Sequence, residues 1–322
     1  MRTESYDPSA THVAGRPPKT GWLRLKTGSP HTRAVLQALL VTVLWSTSWV
    51  LIVIGLEDMP ALPFAGLRYT LAFLCLLPFA LRGGLVSKLR RLPAGMWARL
   101  LLLGLLFYAV TQGAQFLSLA YLPATTTSLL LSFTTVLVAL LGLLFLGERP
   151  AAMQWTGTGL YMAGVAVYFY PLALSGGEGI GLLVAGVGVG ANALSSILGR
   201  DVNRRGELDP MAVTVVSMGF GAVVLLAGGV AVQGLPRLAP GHWVIILWLA
   251  VVNTSLAFTL WNHTLRTLSA MESSIINNTM LFQIALLAWL FLGQTLGRRQ
   301  VAGMVLAALG TLLVQMRKGD RT

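Results

Sequence analysis

The chain is poor in charged residues, which make up only 11% of its 322 positions. Soluble domains carry about 25%. Apolar residues account for 55% of the chain, and the mean hydropathy is +0.74. So little charge cannot cover a soluble fold with polar surface, and this excludes soluble enzymes and soluble binding modules. The composition indicates an integral membrane protein.

Residues that hold metals or carry out catalysis are also scarce. The single cysteine, Cys75, cannot form a disulfide within the chain, and no two of the four histidines have the spacing of metal ligands. There is no phosphate-binding loop, so ATP does not drive this protein directly. No carboxylate pair or Ser–His dyad can be assembled inside the apolar segments. We therefore expect no cofactor, no metal and no enzymatic activity.

Apolar runs of about 20 residues are long enough to cross a bilayer, and ten such runs occur. They predict an all-α integral membrane protein with ten transmembrane helices. The polar residues 1–33 and 317–322 are expected to be cytoplasmic tails, the first of them disordered. The predicted spans 1 to 10 are Ala34–Gly55, Leu62–Leu81, Trp97–Tyr121, Thr125–Leu146, Met153–Leu172, Gly179–Leu198, Pro210–Val232, Trp243–Leu265, Ser273–Leu292 and Val301–Val314.

Lysine and arginine are unevenly distributed between the two sides of these spans. The tails and even-numbered loops hold 19 of them, the odd-numbered loops hold 3, and Arg68 lies within a span. Cytoplasmic loops of membrane proteins carry such an excess. The net charge of +12 therefore reports topology and does not indicate a nucleic-acid partner. We expect a multi-pass protein of the inner (plasma) membrane with both termini in the cytoplasm.

The chain contains an internal repeat with a constant offset of 146 positions, which places Leu146–Gly164 in register with Leu292–Gly310. We place the repeats at residues 34–172 and 173–316. Each holds five predicted spans, an odd number, so the second copy must enter the membrane from the opposite side. Many secondary transporters have this inverted construction, with the substrate site near the midplane. The matching pairs are Phe145 and Phe291, Gly147 and Gly293, Gln154 and Gln300, Gly157 and Gly303, and Gly164 and Gly310.

At these residues the chain resembles the drug/metabolite transporter superfamily, specifically the ten-helix exporters made of two EamA domains. The resemblance implies that spans 1, 3, 4, 6, 8 and 9 surround a central cavity, that spans 5 and 10 are peripheral, and that transport runs outward. The residues that carry it are Leu146-Gly147-Glu148, Gln154 and Gly157, Leu292-Gly293, Gln300 and Gly303, Trp45–Trp49, Leu67-Arg68-Tyr69, Trp261-Asn262 and Leu265-Arg266.

Two features depart from the family pattern. Thr135 and Leu281 stand where the family often has proline, which puts a proline hinge in doubt. Gln294 replaces the second Glu of the repeated motif, which argues against a charge-dependent role for that position in both halves.

Polar side chains near mid-span are costly in a bilayer and usually face the bundle interior or a wet cavity. Each has a structural alternative: serine bonds back to its own backbone, and asparagine or glutamine joins neighbouring helices. Trp49 could equally face lipid. The predicted substrate-binding residues are Trp45, Ser48, Tyr108, Gln112, Asn192, Asn253 and Asn277.

Three titratable residues need separate treatment. For Arg68 we favour an outward-snorkelling side chain that reaches toward Glu57 and Asp58, with contact to a substrate carboxylate as the alternative. Glu272 and His263 are the candidates for proton coupling, and an interface role is the alternative for both.

The sequence therefore predicts a secondary transporter, and by family analogy an exporter, of a small metabolite that is amino-acid-like or drug-like. It would work by alternating access around a midplane cavity in the lipid bilayer. A non-transporting membrane scaffold or an intramembrane enzyme that reuses the fold is the alternative. Paired glycines in spans 5 and 10 predict close-packing faces, either with each other or with a second copy in a homodimer.

Overall fold

The computed structural model describes residues 30–90, 92–138, 141, 152–170, 176–264, 267–268, 276–277 and 279–315. Within these residues every regular element is a helix. A short helix, Leu85–Leu89, lies between the second and third long ones. The long helices are α1 Pro30–Leu56, α2 Ala61–Arg82, α3 Ala94–Leu119, α4 Ala124–Val138, α5 Ala152–Phe169, α6 Gly176–Arg204, α7 Pro210–Gln233, α8 240–264, α9 Met280–Leu292 and α10 Arg298–Gln315.

Proline, aspartate and glycine set several helix boundaries. Pro60 and Pro93 occupy the positions directly before α2 and α3. Asp209 caps α7, where its Oδ1 accepts a hydrogen bond from Ala212 N at 3.0 Å. Gly293 ends α9 with a φ of +63°, a left-handed conformation that glycine adopts without steric cost.

Among the described residues, six helices are long and apolar enough to cross a membrane: α1, α2, α3, α6, α7 and most of α8. The described parts of α4 and α9 are shorter apolar helices. Large apolar side chains such as Leu183 (71% exposed) and Phe291 (67% exposed) point away from the bundle, as they do in proteins surrounded by lipid. The chain is a multi-pass membrane protein.

Where both ends of a predicted span are described, the helix follows it with shifts of a few residues; the predicted ends of spans 4, 5 and 8 and the predicted start of span 9 lie outside the described residues. Helix α1 begins at Pro30, four residues before the predicted first span. The remainder of that tail, residues 1–29, lies outside the described residues.

The main contacts between helices of the two halves repeat: when a helix of one half touches a helix of the other, the helices five places along the chain from them touch as well. Helix α2 packs on α7, α4 on α9 and α5 on α10. Helix α1 contacts α8 and α9, and its counterpart α6 contacts α3 and α4. Likewise α2 contacts α8 where α7 contacts α3. A two-fold related pair of five-helix units would produce this pattern.

Helices α5 and α10 cross through glycines. A Cβ added at Gly164 would lie 2.6 Å from Gly303 O, and one added at Gly310 would lie 2.6 Å from Gly157 O. Numbers rise along α5 as they fall along α10, so the helices are antiparallel. The 146-residue shift converts each contact into the other. The predicted close-packing faces are confirmed, and they face each other.

Three apolar clusters lie in the described part of the bundle, and two of them are large. The larger lies among α1, α2, α3, α7 and α8, and in it the rings of Phe64 and Phe116 meet edge to face at 5.1 Å. Trp49 belongs to this cluster and is only 7% exposed, so its lipid-facing alternative is wrong. The second large cluster joins α4, α5, α9 and α10 around Tyr161 and Met304.

Candidate functional site

Helices α3 and α8 each contain a π-helical segment at equivalent positions of the repeat. The segments are Gly104–Thr111 and Val251–Leu256, and a shift of 146 positions carries the first onto residues 250–257. Thr111 Oγ1 and Thr254 Oγ1 each donate to the carbonyl five residues earlier, at 2.8 Å, which fits the wider turn. Such bulges often occur at functional sites. Both segments carry predicted site residues.

Asn253 lies in the π-helical segment of α8 and is fully buried. Its Nδ2 donates to the carbonyl of Leu44 and to Thr47 Oγ1 (3.1 Å), which ties α8 to α1. Its Oδ1 is buried and has no hydrogen-bond partner among the described residues. An unpaired buried polar atom costs about 1–3 kcal/mol, and a ligand donor would remove that cost.

Trp45 of α1 forms an aromatic group with two residues of α8. Its ring centroid lies 5.3 Å from that of Phe258 and 5.2 Å from that of Trp261. The side chain is half-buried and follows Leu44, the residue to which Asn253 bonds. The aromatic group and the Asn253 amide are therefore two separate contacts between α1 and α8.

Tyr108 and Gln112 of α3 are connected through Tyr69 of α2. The Tyr69 hydroxyl donates to Gln112 Oε1 at 2.6 Å, and the Tyr69 and Tyr108 rings lie 5.7 Å apart. Tyr108 is 4% exposed and Tyr69 is 3% exposed. The sequence analysis did not select Tyr69, although it directly follows Arg68 in the motif that the resemblance rests on.

Arg68 lies buried among α2, α3 and α8, with 4% of its surface exposed. Its Nε donates to Thr254 Oγ1 at 3.1 Å. The guanidinium carbon lies 5.3 Å from the centre of the Tyr69 ring and 5.8 Å from that of Phe116. Aromatic faces at these distances attract a cation.

The expected snorkelling of Arg68 toward Glu57 and Asp58 is therefore wrong. Asp58 instead pairs with His242, with 3.3 Å between Oδ2 and Nε2. Contacts between helices explain the difference. A threonine on α8 and two aromatic rings contact the guanidinium inside the bundle, and these contacts hold the side chain there.

A tight turn within α4 has an equivalent directly before α9. Phe133 N donates to Leu130 O at 3.0 Å, and Thr279 N donates to Ile276 O at 3.1 Å. Both are tight bonds to the third residue back, and 146 positions separate them. Neither tight turn contains proline, so neither depends on that residue.

Side chains tether the residues after each tight turn to a neighbouring helix. Gln283 accepts from Ser46 Oγ of α1 at 2.9 Å and donates to Thr279 Oγ1 at 2.9 Å. In the other half, Asn192 Nδ2 of α6 donates to Thr134 Oγ1 at 3.3 Å. The predicted site residue Asn192 thus joins helices, which is the structural alternative given above.

The remaining predicted residues do not join this group. Ser48 is 4% exposed and donates to Trp45 O at 2.6 Å, the backbone bond expected of a structural serine. Asn277 is exposed. His263 is also exposed, with its Nδ1 3.3 Å from Gln37 Oε1. Glu272 lies outside the described residues.

A cavity of about 280 Å³ lies among α3, α6, α7 and α8, lined by Tyr108, Ser195, Ser217 and Phe258 among others. It therefore adjoins both the aromatic group and the π-helical segment of α3. No cluster of His, Cys, Asp or Glu in the described part of the chain could hold a metal. The chemistry offered here is aromatic contact and hydrogen bonding.

Ion pairs connect the loops near this cavity. Lys88 Nζ lies 2.6 Å from Asp209 Oδ2, and Asp201 Oδ2 lies 3.4 Å from Arg99 Nε and 3.0 Å from Arg205 Nε. All five side chains are 36–45% exposed, so each pair contributes at most about 1 kcal/mol. The hydrogen bond to Asp201 raises the pKa of Arg205.

Asp209 has a lowered pKa. Its partial burial alone would raise the pKa, but hydrogen bonds from Lys88 and from Ala212 N, together with the Lys88 charge, outweigh that effect. The carboxylate is therefore stabilised in its charged form.

Comparison with known proteins gives a family. The profile of the EamA-like transporter family matches the chain twice, at residues 32–170 and 179–316. The "Uncharacterized transporter YvbV" of Bacillus subtilis is 30% identical over 233 residues, which is 71% of this chain and 70% of that protein. The "Probable amino-acid metabolite efflux pump" of Escherichia coli is 33% identical over 130 residues, 40% of each chain.

A solved structure titled "Crystal structure of protein" has the same fold. It superposes with a TM-score of 0.64 at 18% sequence identity and covers 88% of this chain and 97% of its own. The two relatives named above carry the names of a transporter and an efflux pump rather than of enzymes.

Proposed function

The chain belongs to the EamA-like transporter family, and we propose that it is a secondary transporter that exports a small, amino-acid-like or drug-like metabolite by alternating access. The general role, a transporter rather than an enzyme, follows from the family and from its relatives. The substrate, the direction and the mechanism are the proposal.

Alternating access requires two halves that exchange roles, and ten membrane crossings in two inverted repeats would supply them. The antiparallel contact of Gly164 with Gly303 supports this arrangement, since the repeat shift converts it into the contact of Gly310 with Gly157. The paired π-helical segments and the paired tight turns give further support. Both termini would lie in the cytoplasm, as the lysine and arginine distribution indicates.

The substrate site that we propose lies between α1, α3 and α8. Trp45 and Phe258 would pack against the apolar part of the substrate. The observation that carries the proposal is the unpaired buried Oδ1 of Asn253 at the contact between α1 and α8, because it can accept a hydrogen bond from a substrate amino group. Tyr108 lines the adjoining cavity.

Outward transport of an amino-acid-like molecule is supported by the name of the Escherichia coli relative. Proton coupling through Glu272 and His263 remains a separate proposal. The double variant Glu272→Gln, His263→Ala tests it: full transport driven by a pH gradient in that variant would remove both residues as coupling sites.

The test of the proposed function is a solute screen on the purified protein, followed by flux into liposomes. A ligand at 100 times its dissociation constant should add about 2.7 kcal/mol to the free energy of unfolding. Trp45→Ala and Asn253→Ala should abolish that shift. Trp155→Ala is the matched control, because this tryptophan of α5 is 52% exposed and remote from the site.

One outcome would contradict the proposal. If no metabolite or drug shifts the unfolding midpoint, and every solute crosses at the rate of protein-free liposomes, transport is rejected. The membrane scaffold would then be the better description of the chain.

A further inference from the structure

Arg68 carries a positive charge inside the helix bundle without a carboxylate beside it. Among the described residues, no Asp or Glu oxygen lies within 4.0 Å of its guanidinium, and the side chain is 96% buried. Charged side chains within membrane helices are rare because they are costly, and they mark substrate pathways. A ligand with an anionic group would therefore stabilise this buried arginine, which has no anionic partner among the described residues.

Most of the hydrogen-bonding capacity of Arg68 is unused. A guanidinium has five N–H donors. Nε uses one, to Thr254 Oγ1 at 3.1 Å. In the described part of the protein, the N–H groups of Nη1 and Nη2 donate to no acceptor. An arginine binds a carboxylate with two parallel N–H donors of this kind.

The neighbours of Arg68 orient the guanidinium without using those donors. The rings of Tyr69 and Phe116 lie 5.3 and 5.8 Å from its central carbon, and Phe116 is fully buried. Their faces partly offset the cost of burying the charge. They offer no carboxylate-like acceptor in return, so the guanidinium is held in place while it remains able to bind an anion.

Arg68 is also connected to α3 and α8, the two helices that contain the π-helical segments. Its partner Thr254 directly follows Asn253 in the π-helical segment of α8. The next residue along α2, Tyr69, bonds to Gln112 of α3. A ligand bound to Arg68 would therefore act on the equivalent helices of both halves.

We infer that Arg68 binds the carboxylate of the transported molecule, and that the substrates are amino acids or similar small carboxylic acids. This inference rests on the proposed transport function and names its substrate class. The unpaired Oδ1 of Asn253, one residue from the Arg68 partner, is an acceptor that suits an ammonium group.

The test compares amino acids with their amides, in which a neutral carboxamide group replaces the charged carboxylate. L-leucine, L-phenylalanine and L-threonine, each paired with its amide, are measured by thermal unfolding of the purified full chain and by competition for liposome flux. The wild type is expected to bind the acids about tenfold more tightly than the amides. Arg68→Gln should bring the acids to the level of the amides and leave the amides unchanged.

Two further variants separate recognition from folding. Arg68→Lys keeps the charge but loses the paired donors, so an intermediate preference is expected. Arg99→Gln removes an exposed arginine that pairs with Asp201, and it should keep the wild-type preference. If Arg68→Gln does not fold, Arg68→Lys carries the comparison. A purely structural Arg68 would affect acids and amides alike.

The outcomes distinguish this inference from the function on which it rests. Equal binding of acids and amides by the wild type, or an unchanged acid preference in either Arg68 variant, overturns the role of Arg68 while transport stands. Absence of any bound or transported solute in the wild type rejects the transport function itself, and this inference with it.

Discussion

Ser46 and Asn192 lie 146 positions apart, and each hydrogen-bonds a neighbouring helix at a residue that follows one of the two tight turns. Ser46 Oγ donates to Gln283 Oε1 on α9, and Asn192 Nδ2 donates to Thr134 Oγ1 on α4. Helices α4 and α9 occupy equivalent places in the packing. The two halves therefore make the same connection with different side chains.

We predict that loss of these two tethers shifts access in opposite directions. If the two halves exchange conformations during transport, each half takes up in one access state the arrangement that the other half has in the opposite state. The Gln283 tether and the Asn192 tether would then stabilise opposite access states. Gln283→Leu and Asn192→Leu are compared in a Cys75→Ser, Ser217→Cys background, in which a thiol reagent reports access to the cavity. Labelling should become faster in one variant and slower in the other, by severalfold.

Thr156→Ala is the matched control for this experiment, because Thr156 bonds to the backbone of its own helix, α5, which does not line the cavity. It should label at the parental rate. A change of the same sign in Gln283→Leu and Asn192→Leu would count against the exchange of roles.

Gly164→Ala is predicted to destabilise the protein. Its Cβ would lie 2.5 Å from Ala307 N and 2.6 Å from Gly303 O, and backbone atoms cannot move away cheaply. We expect the free energy of unfolding to fall by about 1–3 kcal/mol, as for other overpacked sites. Gly159→Ala, on the same helix with no atom within 4 Å, should be neutral or stabilising. Unfolding in detergent checks both, and equal stability of the two variants would contradict the close contact.

Asp209→Ala is predicted to weaken the start of α7. The change removes the cap on Ala212 N and the partner of Lys88, and loss of such a cap costs about 0.5–2 kcal/mol. Asp209→Asn keeps a capping oxygen and loses only the charge, so its cost should be below about 1 kcal/mol. Similar losses in both variants would show that the ion pair outweighs the cap. Thermal unfolding at neutral pH gives the comparison.

The same carboxylate predicts a pH dependence at acid pH. The pKa of Asp209 is lower in the folded protein than the value of about 3.9 in an unfolded chain. Its stabilisation is therefore fully present above that value and is lost as the pH falls through the folded pKa. The stability difference between wild type and Asp209→Asn should be constant from about pH 5 upward and shrink below about pH 4. A difference that grows on acidification would be inconsistent with the lowered pKa.

Tyr69→Phe is predicted to be mildly destabilising. It removes the hydroxyl that donates to Gln112 and keeps the ring beside Arg68. Hydrogen bonds between membrane helices contribute about 0.6 kcal/mol on average. Tyr69→Ala also removes the ring and should cost about 3–5 kcal/mol, as other large aromatic truncations do. Comparable unfolding free energies for the two variants would mean that the ring contributes little.

The glycine contact could be predicted from the sequence because glycine, which has no side chain, allows two helices to approach closely. Gly164 and Gly303 recur in register, and only close approach of two helices explains their spacing. The position of Arg68 could not be predicted in this way. Distance along α2 suggested an outward side chain, whereas its partners Phe116 and Thr254 are remote in sequence. Burial of a single charge depends on contacts that no local pattern contains.

The π-helical segments and the tight turns also escaped the sequence analysis. Their residues have the same apolar composition as the α-helix around them, and Thr135 and Leu281 offer no proline as a signal. Of the predicted site residues, Trp45 and Asn253 each contact the opposite helix of the α1–α8 pair, through Phe258 and the carbonyl of Leu44. Ser48 does not join the candidate site, because its hydroxyl donates to Trp45 O within its own helical turn.

The contact between α5 and α10 has a consequence for biosynthesis. Helix α10 is made after α5 to α9, so the glycines of α5 cannot meet their partners until the intervening helices have been synthesised. Until α10 is made, Gly164 has no Gly303 to pack against, and the glycine face of α5 remains exposed to lipid. A polypeptide truncated before Arg298 would never cover that side. It would be left to associate with other nascent chains or to be removed by membrane quality-control proteases.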